Sequence, residues 1–366
     1  MAPSTSGADA KAAALVTLIL LPPPADLAAL VEYVWQLVLP PNAPPGALWR
    51  VVPDGYVDVA TRLALTPEVV RAAATPESRR ERRAVMEALA ASPTVVCGAA
   101  ATARTLPMTE PLLVTGARFR LGAAAGVLRR APADLVDGSR PLREVIDARA
   151  AGCVRSALAV GAARHADAQS QAQEPVDAGR AIRALARAGT LAVVRRLAAR
   201  ADAGGRGVVA PDPRVLGALH LLERNIGVPT PDGGAESAPV ATVGRALGVS
   251  LRTLDRLFAE QVGFSPRTYQ RLRRVGAVAE SLERAGATPA APAPGRGAPR
   301  PATLSDLAHR LGYTDHAHMT REFTRVMGVG PAAYRREAAA APVERRMGAV
   351  AFERSVPFGT VGTRDP

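Results

Sequence analysis

Lysine is nearly missing from this 366-residue chain: Lys11 is the only one, so the 46 basic residues, set against 33 acidic, are almost all arginine. The resulting charge of +13 and pI near 11.0 suit a polyanionic partner. The excess is spread, however: +7 over 1–211, +5 over 212–340 and +1 over the tail. With so much Ala, Gly and Pro it reflects GC-rich coding as much as binding, and bulk charge locates no site. Cysteine is also scarce. Cys97 and Cys153 cannot build a disulfide framework or a four-thiolate zinc site, which fits a reducing cytoplasm. No histidine occurs in residues 1–150, which excludes a histidine-ligated metal site there. The longest apolar run near the start, Ala12–Leu21, is half of a membrane span and is followed by Pro22-Pro23-Pro24; preceded only by Lys11, whose charge Asp9 offsets, it makes a poor signal peptide. Phosphate-binding loop, GxSxG elbow and HExxH helix are all absent. Hydrophobic residues at 48% nevertheless suffice for real cores.

The chain divides by pattern. Leu48 to Leu63 places two β-branched runs around Pro53-Asp54-Gly55 and reads as a hairpin. Thr94 to Ala100 and Leu112 to Phe119 read as strands, and Gly122 to Arg130 as a helix. The expectation is a mainly β domain over 1–145 and a helical connector over 146–211. In that connector Ile182, Leu185, Ala186, Val193 and Leu197 form an apolar stripe that covers its own domain or a second subunit. Stretches 166–178 and 204–207 read as flexible connections. A new all-α domain starts at Asp212-Pro213, an N-cap with Pro at the first helical position, followed by Val215, Leu216, Leu219 and Leu222 on one face. It runs to 340, interrupted by a Pro-rich spacer at 286–302. The tail 341–366 shows no periodicity and is expected to be disordered.

Within 212–340 one unit occurs twice, from Val240 and from Leu304. Each has a short helix ending in Leu-Gly (Leu247-Gly248, Leu311-Gly312), a polar cap (Ser250, Asp315) and a second helix with Arg two residues before Phe (Arg256 and Phe258, Arg321 and Phe323). Gly, Pro and Tyr then follow at matching offsets. Helix, glycine turn and helix make a helix-turn-helix. At 100° per residue Leu251, Leu254, Leu257 and Phe258 share one side of the first recognition helix, and Arg252, Asp255 and Arg256 the other. In the second, Met319, Phe323 and Val326 oppose Ala317, Thr320 and Arg321, with His316 beside them. An α-helix fits the DNA major groove, where Arg can hold guanine O6 and N7 together. Arg256 and Arg321 lead the candidates for base contact; Arg252, Thr253, Asp255, His316, Ala317 and Thr320 join them. His316 and His318 lie about 200° apart on a helix and are poor joint metal ligands.

This tandem arrangement resembles the DNA-binding domain of AraC/XylS-type transcriptional regulators. The resemblance is carried most specifically by Leu311-Gly312-Tyr313-Thr314-Asp315-His316, Arg321-Glu322-Phe323, Gly328, and Pro331 to Tyr334-Arg335. It implies two helix-turn-helix units, joined by a linker helix, that read successive major grooves. It places base contacts on Arg252, Asp255, Arg256, His316, Ala317, Thr320 and Arg321. It also places the linker helix from Pro266 to Leu282, where Arg271, Arg273 and Arg274 fall and Arg273 is expected to meet backbone phosphate. Met319 and Gly330 depart from the family pattern, and the Pro-rich insertion puts rigid spacing of the two readers in question. The N-terminal half resembles the uncharacterised sensor-like domain that precedes this module in some regulators, through Val31-Glu32-Tyr33-Val34-Trp35, Val52-Pro53-Asp54-Gly55 with Asp58, and Gly116 to Gly122. A cupin-like β fold is the analogy. Trp35, Trp49, Tyr56, Arg118 and Arg120 are either an effector pocket for an organic acid or core and surface residues.

The expected function is a one-component, non-enzymatic transcription factor in the cytoplasm, with no cofactor and no metal. Its partners are double-stranded promoter DNA and RNA polymerase; a small-molecule effector and a homodimer stay open, and a membrane is not expected. The alternative is an Ada-type repair protein accepting a methyl group on Cys97 or Cys153. A scaffold that has lost DNA binding is disfavoured by the intact Arg252, Arg256 and Arg321.

Overall fold

The computed structural model describes residues 16–39, 47–69, 87–88, 91–107, 110–146, 178–202, 208–224, 240–287, 303–340, 344–347 and 360–363. Its N-terminal domain contains β1 (Thr17–Leu21), β2 (Val31–Leu39), β3 (Ala47–Val51), β4 (Asp58–Ala64), β5 (Thr94–Cys97), β6 (Arg104–Pro107), β7 (Leu112–Phe119), helix α1 (Ala123–Leu128), β8 (Ser139–Pro141) and the single turn α2 (Leu142–Val145). Helix α3 (Ala178–Asp202) follows. The expected mixed, sheet-rich first domain and helical second domain are both present.

Strands β8-β5-β4-β7-β2-β1 form one sheet in that order, with antiparallel neighbours throughout. Side-chain alternation gives the sheet two buried faces. Val34 of β2, Val59 and Leu63 of β4, and Leu113, Ala117 and Phe119 of β7 belong to one core cluster. Its cover is α3, whose Ile182, Leu185, Ala186, Val193 and Leu197 are all buried there. The expected stripe therefore covers its own domain. Burying one such side chain contributes about 1.5–3 kcal/mol. Gln36, nearly buried on the same face, donates through Nε2 to the Arg183 carbonyl at 2.7 Å. The opposite face presents Tyr33, Trp35, Leu37 and Leu39 of β2 with Ala60 and Leu112. Trp35 lies across β7 at Gly116, where a Cβ would stand 2.4 Å from the indole, so no other residue fits without displacing the ring.

Two expectations need correction. The strands flanking Pro53-Asp54-Gly55 exist but do not pair: β3 joins β6 in a second, three-stranded sheet, whereas β4 pairs with β5 and β7. The turn carries the chain between sheets because Asp54 is drawn inward, accepting from the Tyr56 N–H at 3.1 Å and from Arg118. The tail is not wholly without structure: β9 (Glu344–Met347) pairs in parallel with β1, and β10 (Thr360–Thr363) pairs antiparallel with β3. Both add to sheet edges whose open backbone groups need no side-chain pattern to recruit a strand. Stretches 166–177 and 204–207 and most of the spacer, 288–302, lie outside the described residues.

The second domain comprises α4 (Pro213–Arg224), α5 (Val240–Ala246), α6 (Leu251–Gln261), α7 (Pro266–Ala287), α8 (Leu304–Arg310), α9 (His316–Met327) and α10 (Pro331–Ala340). Asp212 caps α4 as expected, its carboxylate accepting from the Arg214 N–H at 2.8 Å. Val215, Leu219 and Leu222 are buried, but Leu216 is 46% exposed and Leu251 is 44% exposed, both at the rim of their apolar arcs. Helix α7 runs to Ala287, so the spacer begins two residues later than its composition indicates.

The domains touch at both helix-turn-helix units. The 3-10 turn Pro132–Leu135 packs on α6. Arg50 of β3 donates through Nε and Nη2 to Glu337 of α10, at 3.1 and 3.3 Å, and through Nη1 to the Met327 carbonyl at 3.0 Å. The Ala103 N–H donates to the Val326 carbonyl at 2.7 Å.

Candidate nucleic-acid interface

Each unit is built in the same way. Gly248 (φ 65°) and Gly312 (φ 75°) reverse the chain in the left-handed region, which a β-carbon would oppose. Ser250 Oγ then accepts from the Thr253 N–H at 3.1 Å, and Asp315 Oδ1 from the His318 N–H at 2.6 Å, capping α6 and α9. That hydrogen bond holds the Asp315 carboxyl below the usual carboxylate range.

The repeat extends further than the motif. Phe258 and Phe323 are buried and meet Tyr269 and Tyr334, each eleven residues on, edge to face at 6.3 and 5.5 Å between centroids. Each tyrosine donates its hydroxyl proton to a glutamate on the helix that precedes the unit, Tyr269 to Glu223 of α4 at 2.6 Å and Tyr334 to Glu283 of α7 at 2.7 Å. Sequence reasoning missed both glutamates; the signal was a Glu near the end of each preceding helix, obscured by unequal intervening lengths.

The opposite faces of the recognition helices are open. Arg252, Asp255 and Arg256 of α6 are exposed, as are His316, Ala317 and Arg321 of α9. Thr253 is half-buried, its hydroxyl 2.9 Å from Ser250 Oγ, and so serves the cap. Thr320 Oγ1 lies 3.3 Å from His316 Nε2. The Arg256 guanidinium rests on Glu260 at 2.8 Å, one turn along. His318 leans away from this face, its ring edge-on to Tyr313 at 5.5 Å. Met319 is fully buried and belongs to the core of the second unit.

The linker helix α7 ties the units together. Its Leu272, Val275, Val278, Ala279 and Leu282 are buried in the core that holds Phe323 and Tyr334 of the second unit. Its Arg271 and Arg274 approach Glu322 of α9 at 3.3 and 3.4 Å. The C-terminal domain is a tandem helix-turn-helix. Residues 20–141 match a family described as a domain of unknown function, DUF6597. No curated protein matches the chain. Among solved structures, an AraC-type transcriptional regulator from Chromobacterium violaceum is 20% identical, over 37% of this chain and 96% of its own, with a TM-score of 0.27. The C-terminal domain of AraT, a response regulator from Geobacillus stearothermophilus, is 19% identical over 40% and 97%, TM-score 0.26. ToxT from Vibrio cholerae O395 is 8% identical over 79% and 92%, TM-score 0.32.

One position departs from expectation. Arg273 does not extend outward toward a phosphate; it is turned toward the N-terminal domain, 3.8 Å from Glu223 and among Tyr269, Tyr56 and Asp54. Helical phase explains this, since Arg273 lies one turn from Tyr269, whose side is packed against the N-terminal domain at Gly55.

The supposed effector residues are also otherwise engaged. Arg118, 4% exposed, donates through Nε and Nη2 to both oxygens of Asp58 at 3.0 Å and through Nη1 to Asp54. Trp35 Nε1 donates to the same Asp58 at 3.0 Å. The guanidinium also lies 5.3 Å from the Tyr33 ring centroid and 4.8 Å from that of Tyr56. Burial pushes the Asp54 carboxyl up while Arg118 opposes this, and burial raises the Tyr56 phenol to about 12. This is a closed core cluster. Arg120 is exposed and paired with Glu32 at 2.8 Å, and the side chain of Trp49 lies outside the described residues.

Proposed function

We propose that the chain is a sequence-specific, DNA-binding transcriptional regulator of the AraC type, with no catalytic role. The observation that carries this is the repeat: Arg256 and Arg321 stand at equivalent positions on exposed helix faces, each backed by the same Phe, Tyr and Glu support. Five exposed residues, Arg252, Asp255, Arg256, His316 and Arg321, can hydrogen-bond to base edges or phosphates. The linker supports reading of two successive grooves: 22 residues rising about 1.5 Å each give about 33 Å, close to the roughly 34 Å of one duplex turn.

The N-terminal domain, in this reading, senses an effector or mediates assembly with a second copy, and passes the result to DNA or RNA polymerase through its contacts with α6, α9 and α10. Such a regulator works in the cytoplasm on double-stranded promoter DNA; among the described residues no helix is long and apolar enough to cross a membrane. The methyl-acceptor alternative needs an activated thiolate. Cys97 does not favour one, because burial pushes its thiol up, and Cys153 lies outside the described residues.

Selection of duplexes from a random library by the full chain tests the reading. Enrichment of two short conserved segments about one turn apart is the expected result; a library that stays uniform overturns it.

A further inference from the structure

A cleft of about 500 Å³ lies between α7 and α9. Its lining residues carry five guanidinium groups, on Arg267, Arg271 and Arg274 from α7 and on Arg321 and Arg325 from α9, against one carboxylate, Glu322. That carboxylate is nearly buried and is shared by Arg271 at 3.3 Å, Arg274 at 3.4 Å and His318 at 4.0 Å. One acid cannot balance five bases, so the cleft is strongly electropositive. Concave walls concentrate that field, planar guanidinium forks match the paired oxygens of a phosphate as chloride cannot, and five of them together suit a ligand of several negative charges better than a single carboxylate.

We propose that this cleft is a phosphate site that takes two or more linked phosphoryl groups. They come from a soluble polyphosphate-bearing nucleotide or from the DNA strand that passes between the two reading helices; only the second source rests on the function proposed above. Arg321 belongs both to the cleft and to the exposed face of α9, so the ligand touches a group with which α9 reads. A free polyphosphate competes with DNA there, whereas a backbone phosphate anchors it.

The test titrates the full chain with tripolyphosphate by calorimetry and with its selected duplex across a salt series, for the wild type and for Arg267→Gln, Arg325→Gln and Glu322→Gln, with Arg62→Gln on β4 as control. For a soluble source, tripolyphosphate binds the wild type and Arg62→Gln equally, and each cleft arginine variant weakens it by about tenfold, the loss of a charge-assisted bond. Glu322→Gln tightens binding severalfold, a gain that no unfolded variant produces. For a DNA source, tripolyphosphate does not bind, but the salt slope of duplex binding falls by about one for each arginine removed. Absent tripolyphosphate binding together with unchanged slopes overturns the proposal. Should the wild type bind no duplex, the regulator reading falls and the tripolyphosphate titration alone decides the cleft.

Discussion

Arg118 and Arg321 put one residue type to opposite uses. In the N-terminal domain the guanidinium is sealed between two carboxylates and two aromatic rings, where it fixes the sheet face and the turn at Gly55. In the C-terminal domain it stands in solvent on a helix whose other side is fully packed. The charge of Arg118 is spent internally, whereas that of Arg321 stays open to solvent. Counting arginines along the sequence mixes the two, which is why net charge alone located no site.

Variants can sharpen this contrast. Arg118→Leu leaves Asp54 and Asp58 buried without their cation and is expected to cost about 3–5 kcal/mol in chemical denaturation, with DNA contacts untouched in kind; a loss below 1 kcal/mol would show that the cluster is not structural. Arg50→Ala, at the boundary between the two regions, removes hydrogen bonds from Glu337 and the Met327 carbonyl. The expected cost is about 1.5–3 kcal/mol, with faster proteolysis after the second unit. Arg256→Ala and Arg321→Ala should do the reverse of Arg118→Leu. Stability stays unchanged within error, while each loses about 1–3 kcal/mol of discrimination at one base position, read by fluorescence anisotropy on single-substitution duplexes.

The smallest effect concerns a cap. Asp212→Ala is expected to destabilise by about 1 kcal/mol. Hydrogen bonds from the Arg214 side chain and N–H hold the Asp212 carboxyl near 2, below its usual 3.8. A carboxylate depressed on folding stabilises above its unfolded pKa and ceases to as it protonates, so this contribution is present above pH 3.8 and lost as pH falls toward 2. Wild type and Asp212→Ala should therefore converge in stability across that window, as acid titrations followed by circular dichroism would record.

Much of the second domain was legible because its signals are local. Leu-Gly, a cap and a two-residue Arg-to-Phe spacing specify a helix-turn-helix from within thirty residues, and α6 and α9 begin where Ser250 and Asp315 place them. Half of the N-terminal strands, β3, β4, β5 and β7, were legible too, β7 falling on the run from Leu112 to Phe119; β1, β2, β6 and β8 were not. Pairing was not. The turn after Val52 looks like a hairpin until Arg118, more than sixty residues away, is known to hold Asp54. Arg273 was misassigned for the same reason: its neighbours Tyr56 and Glu223 are distant in sequence, and helical phase is informative only once the surface packed against it is known.

The end of α9 has a practical consequence. The carbonyls of Val326 and Met327 accept hydrogen bonds from Ala103 and Arg50, so the first domain finishes helix α9 of the second. Excising residues 212–340 leaves those carbonyls to water and trims the helix at its C-terminal turn. Under the proposed function, affinities measured on such a fragment belong to a frayed helix, and the intact protein is expected to hold its site more tightly and tolerate fewer spacings.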